Sequence, residues 1–339
     1  MRPLALRTHL AVGLPLSIRT HIIGIPARFA VARSDTFDSP NWGTLNEMQY
    51  LLEAVPNFSE GRDQAVLAAI RAAIEGHARV LDVHADADHN RSVFTCVGEA
   101  EGLVEGLAAA VLVARERIDL RSHTGVHPRV GAADVLPVVR FHPGDDRPRR
   151  AALELARRIG ELGIPVLGYG ELGDGRRPAF FRAGGLGRLA ERLAAGELEP
   201  IAGPGELHPS AGAALVGVRA PLVAFNVNLD TDDVELAQEI AALVRASAGG
   251  KPGVQALGML AGGRAQVSMN LIDTAATPLA AVVAEVARLA AEAGAAVHSS
   301  ELVGLMPAAV AAHASAQALR LPEMPADRLL EIAVAGEFG

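Results

Sequence analysis

Apolar positions along the chain recur with two periods, and the switches between them predict its elements. From Tyr50, YLLEAVP is a short apolar run that reads as a strand. Ser59 or Asp63 can then cap a helix, DQAVLAAIRAAIEG, that closes on Gly76. ARVLDVHADAD and RSVFTCVG follow as β-branched, apolar strands in hairpin order, joined by a polar turn around His89 and Asn90. EAEGLVEGLAAAVLVARERI returns to helical spacing, and after a glycine-containing loop ADVLPVVRF reads as a strand. The order is β-α-β-β-α-β.

A helix, RRAALELARRIGELG, then leads to IPVLGYGE, to a stretch rich in glycine, proline and arginine from Gly173 to Gly187, and to a short helix, LGRLAERLAA. The segment GELEPIAGPGELHPSAG resists regular structure because Pro200, Pro204 and Pro209 each disrupt a helix or a ladder, so it reads as a linker. Beyond it the order repeats. AALVGVRAPLVAFNVNL is a strand pair or one long bent strand, and TDDVELAQEIAALVRASAG is a helix with an acidic cap. GVQALGML and RAQVSMNLID form a hairpin around Gly262 and Gly263, and a long helix from Thr277 to Ala293 leads into GAAVHSSEL. Two copies of one pattern predict an α+β fold of two tandem split-βαβ, ferredoxin-like sandwiches, each with helices on one sheet face. MPAAVAAHASAQAL and PADRLLEIAV are expected to pack as helices on the second sheet.

Composition sharpens this picture at four points. A chain of 339 residues, 50% hydrophobic, can bury two ordinary cores. Its net charge of -8 argues against a general nucleic-acid or anionic-membrane surface. Cys96 is the only cysteine, so one chain can form neither a disulfide nor a multi-thiolate metal site; a reducing cytoplasm fits, with Cys96 as a packed small hydrophobe. The first 34 residues carry Arg2, Arg7, Arg19, Arg28 and Arg33 without one acidic residue, which superficially resembles a targeting peptide, but no span-length apolar run or clean cleavage site follows. Organised patterning begins after Met48, so residues 1–47 are expected to be a disordered extension or the product of a start placed too far upstream.

Candidate chemistry concentrates in HTGVHPRVGAADVLPVV, residues 123–139, where His123 and His127 flank Gly125, Pro128 fixes the backbone and Arg129 adds a cation before a strand. An imidazole can take and give a proton near neutrality, and loops on rigid scaffolds carry much chemistry. PNFSEGRD places Asn57, Ser59, Glu60 and Arg62 before a helix N-terminus that could offer backbone N–H groups to an anion, unless Ser59 is only a cap. Asn226 and Asn228 share one strand face, and Asn270 and Asp273 lie near a strand end in the same half; such amides can read a ligand's edge or face water. His84, Asp86 and Asp88 would share a strand face, which is the serious form of a metal hypothesis, against a solvated hairpin face.

PNFSEGRD, NRSVFTCVG, HTGVHPRVGAADVLPVV, AQVSMNLID and SELVGLMP, in this order from about Met48 onward, resemble the glutamate formimidoyltransferase family. The resemblance implies two tandem ferredoxin-like subdomains, residues 48–202 and 213–339, with a ligand groove between them and a connecting loop at 203–212. It implies transfer of a formimino group from N-formimino-L-glutamate to tetrahydrofolate in histidine catabolism, with tetrahydrofolate as co-substrate, no metal and a homodimer. The family's catalytic histidine falls on His127 of its HPR-x-G-A motif, and its folate-contacting loop on Gly203, Pro204, Gly205, Glu206, Leu207, His208, Pro209, Ser210, Ala211 and Gly212. Arg129 and Arg91 are then candidates for substrate carboxylates, with Asn57, Ser59, Asn226, Asn228 and Asn270 as further substrate-binding residues. Val126 stands where the family often has Glu, and the residues around His89 depart from a small polar run, which puts the tuning of the imidazole and the one-carbon donor in question. A formyl donor on the same site is the alternative; a metal-dependent amidohydrolase using His84, Asp86, His123 and His127, or a non-catalytic ligand-binding module, are readings from other classes.

Overall fold

The computed structural model describes residues 51–322 and 326–338; the extension expected over 1–47 lies outside them. The first sheet is built from β1 (Leu52–Ala54), β2 (Asn57–Phe58), β3 (Arg79–Asp86), β4 (Arg91–Gly98), β5 (Ala133–Val139), β6 (Val166–Gly170) and β7 (Ala214–Arg219). β1 and β2 are one strand broken at Pro56, and both pair antiparallel with β4 on one side and β5 on the other. β3 lies outside β4, so the β-α-β-β-α-β part has its strands in the order second, third, first, fourth. The second sheet has the same order reversed: β11 (Val297–Val303), β8 (Val223–Leu229), β10 (Arg264–Leu271) and β9 (Val254–Ala261), all antiparallel.

One expectation changes. AALVGVRAPLVAFNVNL is not a strand pair of the second half: β7 pairs parallel with β5 and β6 and closes the first sheet, and only β8 begins the second. The sheets therefore divide at residues 220–222. The physical reason is burial: from Ala214 to Val218 every β7 residue is buried, as a strand covered on both faces by a parallel arrangement must be.

Helices α1 (Gln64–Glu75), α2 (Ala100–Arg117) and α3 (Arg147–Glu161) cover one face of the first sheet, where Ile70, Leu103, Leu107, Leu155 and Ile159 meet Phe94, Leu136 and Val138. The opposite face of β5, β6 and β7 carries α4 (Pro178–Arg182) and α5 (Gly185–Ala194), whose Phe181, Leu189 and Leu193 meet Val135, Leu167 and Leu215. Alternation along β5 sends Val135 one way and Leu136 the other. α6 (Val234–Val244) and α7 (Leu279–Glu292) likewise cover the outer face of the second sheet, with Ile240, Val244, Val282 and Val286 against Phe225, Val227 and Val267. Asp63 caps α1 by accepting from the amides of Ala65 and Val66, so Ser59 is free for another role.

The C-terminal segment also differs from expectation. Only Ala308–Ala311 of MPAAVAAHASAQAL is helical (α8), and α9 (Leu330–Phe338) places Leu330 and Val334 against Val97 of the first sheet and Leu305, just beyond β11 of the second. It thus joins the two layers instead of packing on one. Arg328 strengthens the same seam, donating to the carbonyls of Leu302 and Gly304 at 2.9 and 2.7 Å and lying 3.7 Å from Asp82 of β3. Among the described residues no helix is long and apolar enough to cross a membrane.

Candidate active site

The loop that holds His127 is held by the hairpin tip between β3 and β4. Asn90, 6% exposed and at φ +47, presents its side chain to two partners: it accepts from the amide of Gly61 at 3.0 Å and donates to the carbonyl of Thr124 at 2.8 Å. His123 Nε2 lies 3.2 Å from the Asn90 carbonyl, and the Val126 amide donates to Asp88 at 3.2 Å. Gly125 is required at this junction, since a Cβ there would stand 2.4 Å from the His89 carbonyl oxygen. Asn90→Ala removes both side-chain bonds at a left-handed position and is expected to cost about 1–3 kcal/mol in urea unfolding; Asn90→Gly, which keeps the backbone geometry, recovers part of that loss. Equal stability of wild type and Asn90→Ala would contradict this role.

From behind, the loop is fixed by Asp134 on β5. This carboxylate is fully buried; its Oδ1 accepts from the Val130 amide at 2.7 Å, and its Oδ2 accepts from both Arg91 and Arg182 at 2.5 Å. Burial alone would raise its pKa, but Arg182 and Arg91 outweigh that and hold it well below the usual carboxylate range. Arg91 also donates to Asn57 Oδ1 at 2.7 Å, and burial lowers its own pKa to about 10. The His127 imidazole sits in front of these guanidiniums, partly enclosed, with its buried Nδ1 bonded to no protein group. Burial first, then the charges of Arg91 and Arg182, hold it well below the ordinary imidazole value. At neutral pH it is an uncharged base.

His127 opens onto a cleft of about 570 Å³ between the inner faces of the two sheets. Asn57, Arg91, Arg182 and Arg219 line it from the first sheet and its insertion, and Asn226, Ser268 and Asn270 from the second. Arg176 and Arg177, from the loop before α4, add two more cations to the wall. Glu53 sits deeper on the same wall, where burial raises its carboxyl to about 7. The geometry is that of a site for an anionic, partly planar small molecule beside a neutral base.

The model of the N-terminal subdomain of the formiminotransferase domain matches residues 51–219, and the model of the formiminotransferase domain matches residues 224–324. The glutamate formimidoyltransferase of Streptococcus pyogenes serotype M1 is 39% identical over 276 residues, 77% of this chain and 90% of the relative. That of Thermoplasma acidophilum is 38% identical over 273 residues, 76% of this chain and 88% of the relative. The formimidoyltransferase-cyclodeaminase of Sus scrofa is 42% identical over 276 residues, 77% of this chain and 51% of that longer protein. The chain belongs to the formiminotransferase family. The two family matches part at residues 219 and 224, where the sheets divide.

Against this family frame the sequence-predicted residues fall into two groups. His127, Arg91, Asn57, Asn226 and Asn270 are brought together on the cleft wall. The others are turned away from it. Arg129 points its guanidinium into its own loop, donating to the carbonyls of Gly125 and His127 at 2.5 and 3.0 Å. Ser59 is 1% exposed and donates to the Gly131 carbonyl at 2.7 Å, so it staples the loop to β2. Asn228 is occupied by Ser299 and Gln266. The anion site imagined at PNFSEGRD is filled by Glu60, which accepts from the amides of Arg62 and Asp63.

Segment 203–212 packs behind the loop: the Ser210 carbonyl accepts from Leu120, the Ala211 carbonyl accepts from Ala132, and His208 and Gly212 pair with each other. Among the described residues that line the cleft, none comes from 203–212. The side chains of the metal hypothesis have protein partners of their own. Asp86 caps its turn by accepting from the amides of Asp88 and His89, Asp88 accepts from Gly262, and His84 lies 3.4 Å from Glu301. Among the described residues no three His, Cys, Asp or Glu side chains gather as a metal set. Sequence reasoning missed Asp134, Arg182, Arg219 and His89. The arginine-rich stretch 173–187 was the available signal for Arg182.

Proposed function

We propose that the protein transfers the formimino group of N-formimino-L-glutamate to the five-position nitrogen of tetrahydrofolate and releases L-glutamate. The observation that carries this reading is a neutral imidazole, His127, on the wall of a cation-lined cleft. The attacking folate nitrogen must lose a proton as it bonds to the amidine carbon, and the glutamate nitrogen must gain one as it leaves. His127 takes the first, and general acid–base assistance of this kind contributes about 10²- to 10⁴-fold. Holding both reactants in one closed groove supplies much of the remainder.

On this reading each half is a ferredoxin-like sandwich and the cleft between the sheets is the ligand groove, with tetrahydrofolate as co-substrate. The guanidiniums of Arg182, Arg219, Arg176 and Arg177 receive substrate carboxylates. Arg91 shares that duty through the part of its fork not held by Asp134 and Asn57. Asn270 offers its amide to the planar ring; Asn57, which donates to Val55 and accepts from Arg91, and Asn226, which donates to Glu301, can add only their remaining N–H or lone pair. Arg129 and Ser59 act by fixing the loop, and 203–212 supports it from behind; the folate contact that the resemblance gives to 203–212 is indirect. No proton transfer in this scheme calls for a metal.

The test supplies formiminoglutamate and tetrahydrofolate, with formylglutamate as a second donor and with no-folate and chelator controls. Formation of 5-formimino-tetrahydrofolate with chelator present supports the reading; turnover only with the formyl donor moves the assignment to formyl transfer.

The depressed pKa of His127 has a consequence for stability. An imidazole whose folded pKa lies below its unfolded value binds its proton mainly in the unfolded chain, so stability is present above about pH 6.5 and is lost as pH falls below it. His123 and His208, also lowered by burial, act with the same sign. Glu53, raised by burial to about 7, acts with the opposite sign in the same window, so the test is the difference between variants: from pH 7.5 to pH 5 the urea midpoint of wild type is expected to fall relative to that of His127→Gln, and identical pH slopes would contradict the assignment.

A further inference from the structure

We propose that His89 is a second catalytic imidazole, which gives a proton to the departing glutamate nitrogen while His127 receives the one leaving the folate nitrogen. The proposal rests on the transfer reaction above and adds a residue to it. His89 lines the same cleft as His127, and the two ring centroids stand 5.9 Å apart with their planes inclined at 41°. That separation is too long for a direct hydrogen bond between ring nitrogens and leaves room for one bridging water or a substrate group.

His89 is only 7% exposed, and its Nε2 is buried with no protein partner. A buried imidazole nitrogen that is bonded to nothing in the chain, on a residue lining the cleft, is costly unless a ligand or water completes it. Its position is not a matter of loose packing. The Asp86 carboxylate accepts from the His89 amide at 2.7 Å, and the neighbouring Asn90 clamps the hairpin tip to Gly61 and Thr124. The tip that fixes the His127 loop therefore fixes His89 at the same time.

The charged groups around the pair come from every element that faces it. Asp86 and His84 stand on β3, Arg91 on β4 and Arg182 on α4, with Asp134 behind both arginines. Glu301 of β11 approaches His84 from the second sheet. The proton count closes. The folate N–C bond forms and the C–N bond to glutamate breaks; the folate N–H proton passes to His127, and the His89 proton passes to the glutamate nitrogen. Proton transfer from His127 to His89 then restores both. With a single imidazole the same ring must release the folate proton on the opposite side of the tetrahedral carbon before that carbon reverts. Two imidazoles remove this constraint.

The experiment compares wild type, His89→Gln and His89→Ala in the formimino-transfer assay across pH. Expected is a fall in kcat of about 10²-fold or more in His89→Gln with little change in KM. Free imidazole restores part of the turnover of His89→Ala. An unchanged kcat in His89→Gln, a loss confined to KM, or no rescue of His89→Ala by free imidazole overturns the proposal. If wild type itself transfers no formimino group, the reaction assignment fails instead, and the two failures are distinct.

Discussion

Replacing His127 by alanine lowers formimino transfer by about 10²- to 10⁴-fold, the range expected for loss of a positioned acid–base group. Folding survives, because the loop is held by groups other than this ring: Asn90 to Thr124, Ser59 to Gly131, and Asp134 to Val130. Binding of tetrahydrofolate also survives, since the cations and amides of the cleft remain. The loss is therefore expected in kcat with KM nearly unchanged, the signature of an interaction made in the transition state. Steady-state kinetics with a parallel folate-binding titration checks this. Near-normal kcat contradicts the role of His127, and loss of folate binding with kcat intact moves it to substrate recognition.

Replacing Asp134 by alanine has the largest expected effect on stability. Its carboxylate is the only acid in contact with two nearly buried guanidiniums among the described residues, with Arg91 12% and Arg182 13% exposed. Removing it leaves two uncompensated buried charges, and breaking a buried pair from one side costs about 3–5 kcal/mol. Asp134→Asn, which keeps the shape and can still accept from Val130, loses less. Urea unfolding measures both. Activity is expected to fall beyond the fraction unfolded, because Val130 and the two arginines lose their fixed point. A midpoint within about 0.5 kcal/mol of wild type, the range of an indifferent surface change, contradicts the arrangement.

The fold was legible where local pattern decides it. Two β-α-β-β-α-β runs could be read because helical and strand periods alternate cleanly and the hairpins at His89–Asn90 and Gly262–Gly263 carry turn residues. β7 was not, because a wholly apolar strand such as Ala214–Val218 has no face and hence no sign of which sheet it joins. Within the site, HPR marked His127 directly. Charge alone could not separate Arg129 from Arg182: both lie in arginine-bearing stretches, but one guanidinium folds back on Gly125 and His127 and the other, at the end of α4, reaches Asp134 across 48 residues. The same limit hid Asp134, which reads in sequence as an ordinary strand-edge acid and becomes the anchor of the site only through long-range pairing. His89 looked like a turn residue, and only the approach of two loops places it beside His127.

The most direct measurement follows the carbon itself. Wild-type protein is given formiminoglutamate labelled with ¹³C in the formimino group, together with tetrahydrofolate, and the label is tracked by NMR beside a His127→Ala sample. Movement of the label onto the five-position nitrogen of the folate, with one glutamate released per label moved and almost none in His127→Ala, is the predicted result. Label that stays on glutamate, or that leaves as free formate or formamide without entering folate, would contradict it.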